Sequence, residues 1–282
     1  MRVLSAIAGV RAAVAGARDR GRRVALVPTM GALHEGHLSL VRRARAEADL
    51  VVMSIFVNPL QFGPGEDLAR YPRDPEGDAA QARAAGVDVL FAPAAEELYP
   101  HAPRVAVAPV GLGERWDGAL RPGHFAGVLT VVLKLLNVVQ PDVALFGQKD
   151  FQQAAIVRAM VADLDVPVRI VVAPIVREAD GLALSSRNRY LAPDQRREAA
   201  RLSLALDAAR AAYDGGERDA ATLQDAARAV LDAAPAVAVD YLALVDGASL
   251  EPVERASPGN ALLLAARFGD TRLLDNVVLG TS

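Results

Sequence analysis

Short apolar or β-branched runs alternate with amphipathic stretches along the first two-thirds of the chain. Residues 24–27, 50–56, 87–91, 143–146 and 168–172 are runs of the first kind, each bounded by turn residues. Residues 39–48, 78–85, 128–139 and 151–163 carry helical spacing between them. Near-continuous apolar strands separated by helices predict a parallel sheet covered on both faces. Ligands of such sheets bind in the loops at the carboxyl ends of the strands. Chemistry is therefore expected after Val27, Phe56, Phe146 and Val172. Beyond about Val176 the pattern changes to two Ala-rich helices, residues 193–213 and 220–233, followed by strands over 237–245, 261–267 and 271–279. The expected fold is α/β: a Rossmann-like parallel-sheet domain over residues 1–175, then a smaller α+β C-terminal domain over 176–282.

Composition narrows the function classes. With 52% hydrophobic residues in 282, the chain can bury a sizeable core. A net charge of −3 and the lack of a basic cluster interleaved with aromatics exclude a nucleic-acid-coating role. Absence of cysteine excludes disulfides and thiolate metal sites. The longest apolar stretch, 128–139, is interrupted by Lys134 and Asn137, so no transmembrane span is expected. Arg11, Arg18 and Asp19 break up the N-terminal region, and no cleavable leader is expected either. These features predict a soluble, cytoplasmic protein with neither nucleic-acid nor membrane partners.

The turn after the first of these strands reads Pro28-Thr29-Met30-Gly31-Ala32-Leu33-His34-Glu35-Gly36-His37. A strand, a glycine turn and a helix start make an anion site, because the helix N-terminus presents unpaired N–H groups and the positive end of its dipole. His34 and His37, three apart, share a helix face. They could be surface histidines or zinc ligands, but His-Glu-x-His lacks the spacing of the zinc motif, and two of only four histidines in one such turn favour a phosphate role.

Three further segments stand at strand ends. Phe56-Val57-Asn58-Pro59-Leu60-Gln61-Phe62 ends a strand at Asn58-Pro59, and Gln61 offers a neutral donor and acceptor or is a plain loop residue. Gly147-Gln148-Lys149-Asp150-Phe151-Gln152-Gln153 brings Lys149 as a point charge for phosphate; Asp150 suits either Mg²⁺ or a helix N-cap. Val176 through Leu184-Ser185-Ser186-Arg187 supplies hydroxyls and an arginine fork that fit phosphate, or else a linker with a serine cap.

Together these segments, in this order and spacing, resemble the pantothenate synthetases, the pantoate–β-alanine ligases. His-x-Gly-His marks the wider nucleotidyltransferase superfamily, and Arg121 with His124-Phe125-Ala126-Gly127-Val128 adds a further match. The likeness runs from about Val24 to Leu191 and more loosely through Asp240-Tyr241 and 271–276. It implies that Met30, Gly31, Ala32, Leu33, His34, Glu35, Gly36 and His37 bind ATP, with His37 the catalytic proton donor. Gly147, Gln148, Lys149, Asp150, Val176, Leu184, Ser185, Ser186 and Arg187 would complete the ATP contacts, with His34 and Lys149 sharing in catalysis. Gln61 and Gln153 would bind pantoate, Gln61 also β-alanine, and Asp78 and Asp150 a Mg²⁺ ion. Two positions depart from the family pattern: Gln148 stands where Glu is frequent, and Gly77 precedes Asp78 where some members carry consecutive acids.

The implied reaction is condensation of (R)-pantoate with β-alanine through a pantoyl adenylate, releasing AMP and pyrophosphate, in a homodimer whose smaller domain acts as a lid. Two other readings compete. A nucleotidyltransferase moving AMP or CMP to a phosphorylated acceptor would need a cationic acceptor pocket rather than two glutamines. A non-catalytic nucleotide-binding regulator would not require both histidines, Lys149 and the 185–187 segment together.

Overall fold

The structure, a computed structural model, describes residues 1–234 and 237–281. In chain order the first elements are β1 (Arg2–Leu4), α1 (Ile7–Arg18), β2 (Val24–Thr29), α2 (Glu35–Glu47), β3 (Leu50–Ile55), a 3-10 turn (Pro59–Gln61), α3 (Pro75–Ala84) and β4 (Val89–Phe91). Then come α4 (Ala95–Leu98), α5 (Asp117–Leu120), α6 (His124–Val139), β5 (Val143–Gly147), α7 (Phe151–Asp163) and β6 (Arg169–Ala173). β1 to β6 form one parallel sheet in the order β1-β4-β3-β2-β5-β6. Val24, Ala25, Leu26 and Val27 of β2 and Val51, Val52 and Met53 of β3 are fully buried, as central strands covered on both faces must be.

Four strands and helices lie outside the expected set: β1, α1 and the short α4 and α5. β1 is a three-residue edge strand whose Val3 is exposed, so it carries no buried pattern to read. α1 buries Val10, Ala13, Val14 and Ala17, a helical spacing in which alanine supplies two of the four positions. Three helices begin earlier than their apolar spacing suggests. α2 is capped by His34, and α3 starts at Pro75 behind an Asp74 cap whose Oδ1 accepts from Gly77 N–H at 3.0 Å. α6 starts at His124, after Gly123 in the left-handed conformation.

The remaining elements are a 3-10 turn (Ser186–Tyr190), α8 (Pro193–Ala199), α9 (Arg201–Asp214), α10 (Ala220–Asp232), β7 (Val237–Val245), β8 (Ala261–Phe268) and β9 (Thr271–Val278). The helix expected over 193–213 is two helices meeting at Ala200. β7-β8-β9 form an antiparallel sheet, and its core joins Leu244, Leu264 and Phe268 to Leu202, Leu206 and Leu223 of the helices. A bulge between Val239 and Tyr241 sets Asp240 beside Arg267 and Arg272, at 3.0 and 2.5 Å.

The chain divides into two compact units, 1–147 with 156–173, and 148–155 with 174–282. The last break, between Ala173 and Pro174, falls close to residue 175. Residues 148–155 group with the later unit because β9 holds the backbone of Gln148 and Lys149, a tie that the strand and helix pattern does not encode. No helix among the described residues is long and apolar enough to cross a membrane.

Candidate active site

In the first unit the strand order reverses at β2, which has β3 on one side and β5 on the other. The chain leaves β2 toward β3 and β4, and later returns through β5 to β6. A crevice at such a switch point is the ligand site of open parallel sheets. The turn leaving β2 lies there, and so does Gly147, the last residue of β5.

That turn has an unusual backbone. Gly31 and Ala32 both have positive φ, +82° and +51°. Such a turn must be held from outside. The Asp78 carboxylate, buried on α3, holds it: Oδ2 accepts from Ala32 N–H at 2.9 Å and Oδ1 from Leu33 N–H at 2.7 Å. A Cβ on Gly31 would stand 2.8 Å from Asp78 Oδ2, so glycine is required by contact as well as by φ. Asp78, expected as a metal ligand, thus has both oxygens turned to protein backbone. Ala32 and Leu33 are buried, whereas Glu35 is exposed and pairs with Arg42.

The turn delivers two imidazoles to the N-terminus of α2. His34 is the N-cap; its Nδ1 accepts from Gly36 N–H at 3.2 Å, and the Nδ1 of His37 faces the N–H of His34 at 3.4 Å. A ring nitrogen that accepts carries no proton, so each neutral ring bears its N–H on Nε2. The ring centroids lie 4.1 Å apart. Capping therefore also sets the tautomer, so that Nε2 is the donor of each ring at the N-terminus of α2, the positive end of its dipole.

Gln61 closes the 3-10 turn after β3 and is buried. Asn58 Nδ2 donates to Gln61 Oε1 at 3.2 Å and to the Gly127 carbonyl at 3.0 Å. Asn58 Oδ1 accepts from Leu60 N–H at 3.3 Å and from the Tyr99 hydroxyl at 3.0 Å. Burial pushes the Tyr99 phenol up to about 12, keeping it a donor. With Oε1 occupied, Gln61 Nε2 donates one N–H to Met30 Sδ at 2.9 Å and carries a second. A Cβ on Gly127 would overlap the Leu60 carbonyl and stand 2.6 Å from Gln61 N, so only glycine lets α6 approach this closely.

The Gln61 carbonyl is held as well. His124 Nδ1 donates to it at 2.8 Å, and His124 Nε2 accepts from Arg121 Nη1 at 3.0 Å. Arg121 in turn forks onto Glu66 at 2.8 and 2.5 Å. Burial, reinforced by the Arg121 guanidinium, pushes the His124 imidazole down to about 4. His124 is thus a neutral relay between a cation and a carbonyl.

In the second unit, Lys149 Nζ lies 3.6 Å from the half-exposed Asp150 carboxylate. The Asp150 carbonyl accepts from Ala154 N–H, which places Asp150 at the start of α7. Gln153 is partly exposed, and its neighbour Gln152 is the buried glutamine. Residues 176–184 form a small hairpin in which Leu184 N–H donates to the Val176 carbonyl at 3.0 Å, pairing two expected ATP contacts. Ser185 Oγ accepts from Arg187 N–H at 3.2 Å and caps the following 3-10 turn, yet its O–H remains a donor. Cap and phosphate roles are compatible there.

The pantoate-beta-alanine ligase family model matches residues 2–278. The chain belongs to the pantoate–β-alanine ligase family. It is 55% identical over 279 residues to a pantothenate synthetase of Moorella thermoacetica, covering 99% of both chains. It is 59% identical over 269 residues to that of Anaeromyxobacter dehalogenans, covering 92% of both. The crystal structure of a Thermus thermophilus pantothenate synthetase superposes with a TM-score of 0.94 at 49% identity, over 99% of both chains. A Francisella tularensis pantoate-beta-alanine ligase, complexed with beta-gamma ATP and beta-alanine, superposes at 0.82 and 30% identity, over 100% of this chain and 99% of that one. The parallel-sheet α/β fold with its small antiparallel sheet is therefore the fold of these ligases.

A ligase of this kind must grip two small polar substrates, and the grip on Gln61 was hidden from the sequence. Asn58, Tyr99, Arg121, His124 and Glu66 come from separate segments, and only the repeated family match at Arg121 and His124 hinted at a task for them. The backbone clamp by Asp78 left no signal beyond an acid in the first turn of a helix.

Proposed function

We propose that this ligase activates pantoate by adenylation at the turn between β2 and α2 and then passes the pantoyl group to the β-alanine amine. The observation that carries this reading is the imidazole pair at the α2 N-terminus, each ring fixed with Nε2–H as its donor. A carboxylate acylates poorly. Its oxygen attacks the α-phosphorus of ATP, the bond to the bridging oxygen breaks, and pyrophosphate leaves. Negative charge growing on the α-phosphoryl oxygens would meet His34, His37 and the helix N-terminus, donors that need no reorganisation during attack. The amine of β-alanine then attacks the carbonyl carbon, a C–N bond forms, and AMP departs.

Gln61 and Gln153 are assigned to pantoate, whose hydroxyls suit neutral amides; Gln61 brings a preset Nε2 donor. Gln61 is also assigned to β-alanine. Lys149, Ser185, Ser186 and Arg187 are assigned to the triphosphate, and Val176 and Leu184 to the adenosine portion. Among the described residues no group of three or more His, Cys, Asp or Glu side chains could hold a metal ion. Mg²⁺ fits here only as an ion carried chiefly by nucleotide oxygens and water, with Asp150 the carboxylate able to join it. When bound, it would neutralise phosphate charge. Asp78 does not fit such a role. A cytoplasmic homodimer belongs to the same proposal, supported by the exposed apolar Val105 and Val110.

The test is pyrophosphate release. ATP and pantoate without amine should yield one equivalent of pyrophosphate and an enzyme-bound adenylate; release only after β-alanine is added would defeat the adenylate route.

A further inference from the structure

The stretch ending in Asp275 and Asn276 shares the family pattern, yet the reaction as derived gives it no task. Both residues are buried on β9. Asn276 Nδ2 donates to the Gln148 carbonyl at 2.9 Å and to the Lys149 carbonyl at 3.0 Å, while its Oδ1 accepts from Gln148 Nε2 at 3.1 Å. One side chain thus makes three bonds to two consecutive residues at the turn into α7. Asp275 makes the matching grip on a second segment. Its two oxygens accept from Arg177 Nη1 and Nη2 at 2.6 and 2.9 Å, and Oδ1 also takes Asn276 N–H at 2.8 Å. Arg177 Nη1 further donates to the Gly181 carbonyl at 2.9 Å, bracing the hairpin that pairs Val176 with Leu184.

We infer that Asn276 and Asp275 are positioning residues for ATP: Asn276 sets the backbone from which Lys149 extends, and Asp275 sets the hairpin that carries Val176 and Leu184. The inference rests on the assignment of Lys149 to the triphosphate. The chemistry favours it over a plain staple. A lysine on a flexible four-carbon stem reaches a phosphate in a defined place only if the backbone from which it extends is fixed. A turn between a strand and a helix has few backbone partners of its own, and here its carbonyls are taken by a side chain locked in a sheet. Gln148 fits the same geometry, since its amide donates where a carboxylate would face Asn276 Oδ1 oxygen to oxygen.

Steady-state kinetics of the full-length chain test this with Lys149→Ala, Asn276→Ala and their double variant. Lys149→Ala should raise KM for ATP about tenfold or more. Asn276→Ala should raise it about fivefold to tenfold, with KM for pantoate within about twofold of wild type. In the double variant the Asn276 effect should largely vanish, because the group it positions is gone. A folded Asn276→Ala enzyme with unchanged KM for ATP, or effects that multiply in the double variant, would overturn the inference while leaving the Lys149 assignment intact. An unchanged KM for ATP in Lys149→Ala would overturn the assignment itself. Should Asn276→Ala not fold, Asn276→Ser, whose shorter side chain gives up both bonds to the carbonyls, must show the same selective rise in KM for ATP. Asp275→Asn should likewise raise KM for ATP and spare pantoate; equal losses for both substrates would mark the pair as purely structural.

Discussion

The rings of His34 and His37 stand 4.1 Å apart, and each receives a backbone N–H, or faces one, through Nδ1. The two bonds that cap α2 also determine which nitrogen of each ring can donate to a phosphoryl oxygen. Removing the His37 imidazole should therefore slow adenylation by roughly 10²–10³-fold while leaving ATP affinity nearly intact, because its donor meets charge that grows during attack. Pre-steady-state pyrophosphate bursts measure this. Adenylate formed at the wild-type rate by His37→Ala, with failure only in amine transfer, would move the residue to the second step.

Asp78 separates a clamp from a metal ligand. Asp78→Asn replaces one acceptor by an amide that faces a backbone N–H, at Ala32 or Leu33. Leaving a buried N–H unpaired costs about 1–3 kcal/mol. The variant should lose thermal stability and adenylation rate together, and its Mg²⁺ dependence should match wild type. A selective rise in the Mg²⁺ concentration needed for half-maximal rate would return Asp78 to the metal.

His124 makes stability depend on pH in a defined window. Its imidazole is pushed from 6.5 down to about 4 in the folded chain, so between those values the unfolded chain takes up a proton that the folded one refuses. Stability is therefore lost as pH falls through this range. His124 is only partly buried, so the contribution between pH 7 and pH 5 is at most about 2 kcal/mol. Urea unfolding of His124→Gln should show a smaller decrease over the same interval. Parallel curves for the two proteins would mean that the ring is not held neutral.

Gln153→Ala tests the division of labour between the glutamines. A partner lost to a substrate hydroxyl should weaken pantoate by about 1–3 kcal/mol while KM for ATP stays close to wild type. Equal losses for both substrates would place Gln153 elsewhere.

Periodicity alone determined the alternation of strands and helices from β2 to β6, the change of pattern near residue 176 and the turns at which to look. Burial on both faces of a strand and one face of a helix is written residue by residue, which is why these elements are legible. The histidine pair and Lys149 stood out as candidates because strand-to-helix turns concentrate chemistry, whereas Gln61 stood out only through the family resemblance. Tertiary structure decided what holds those residues. Asp78 meets Ala32 and Leu33 from 46 and 45 residues away, His124 meets Gln61 across 63, and Asn276 meets Lys149 across 127. Hydrogen bonds of that span leave no local period, and Asp, Asn or His in a loop or strand reads the same whether it is solvated or gripping a backbone. Their meaning comes only from the packing that excludes water around them and brings distant backbone groups within hydrogen-bond reach.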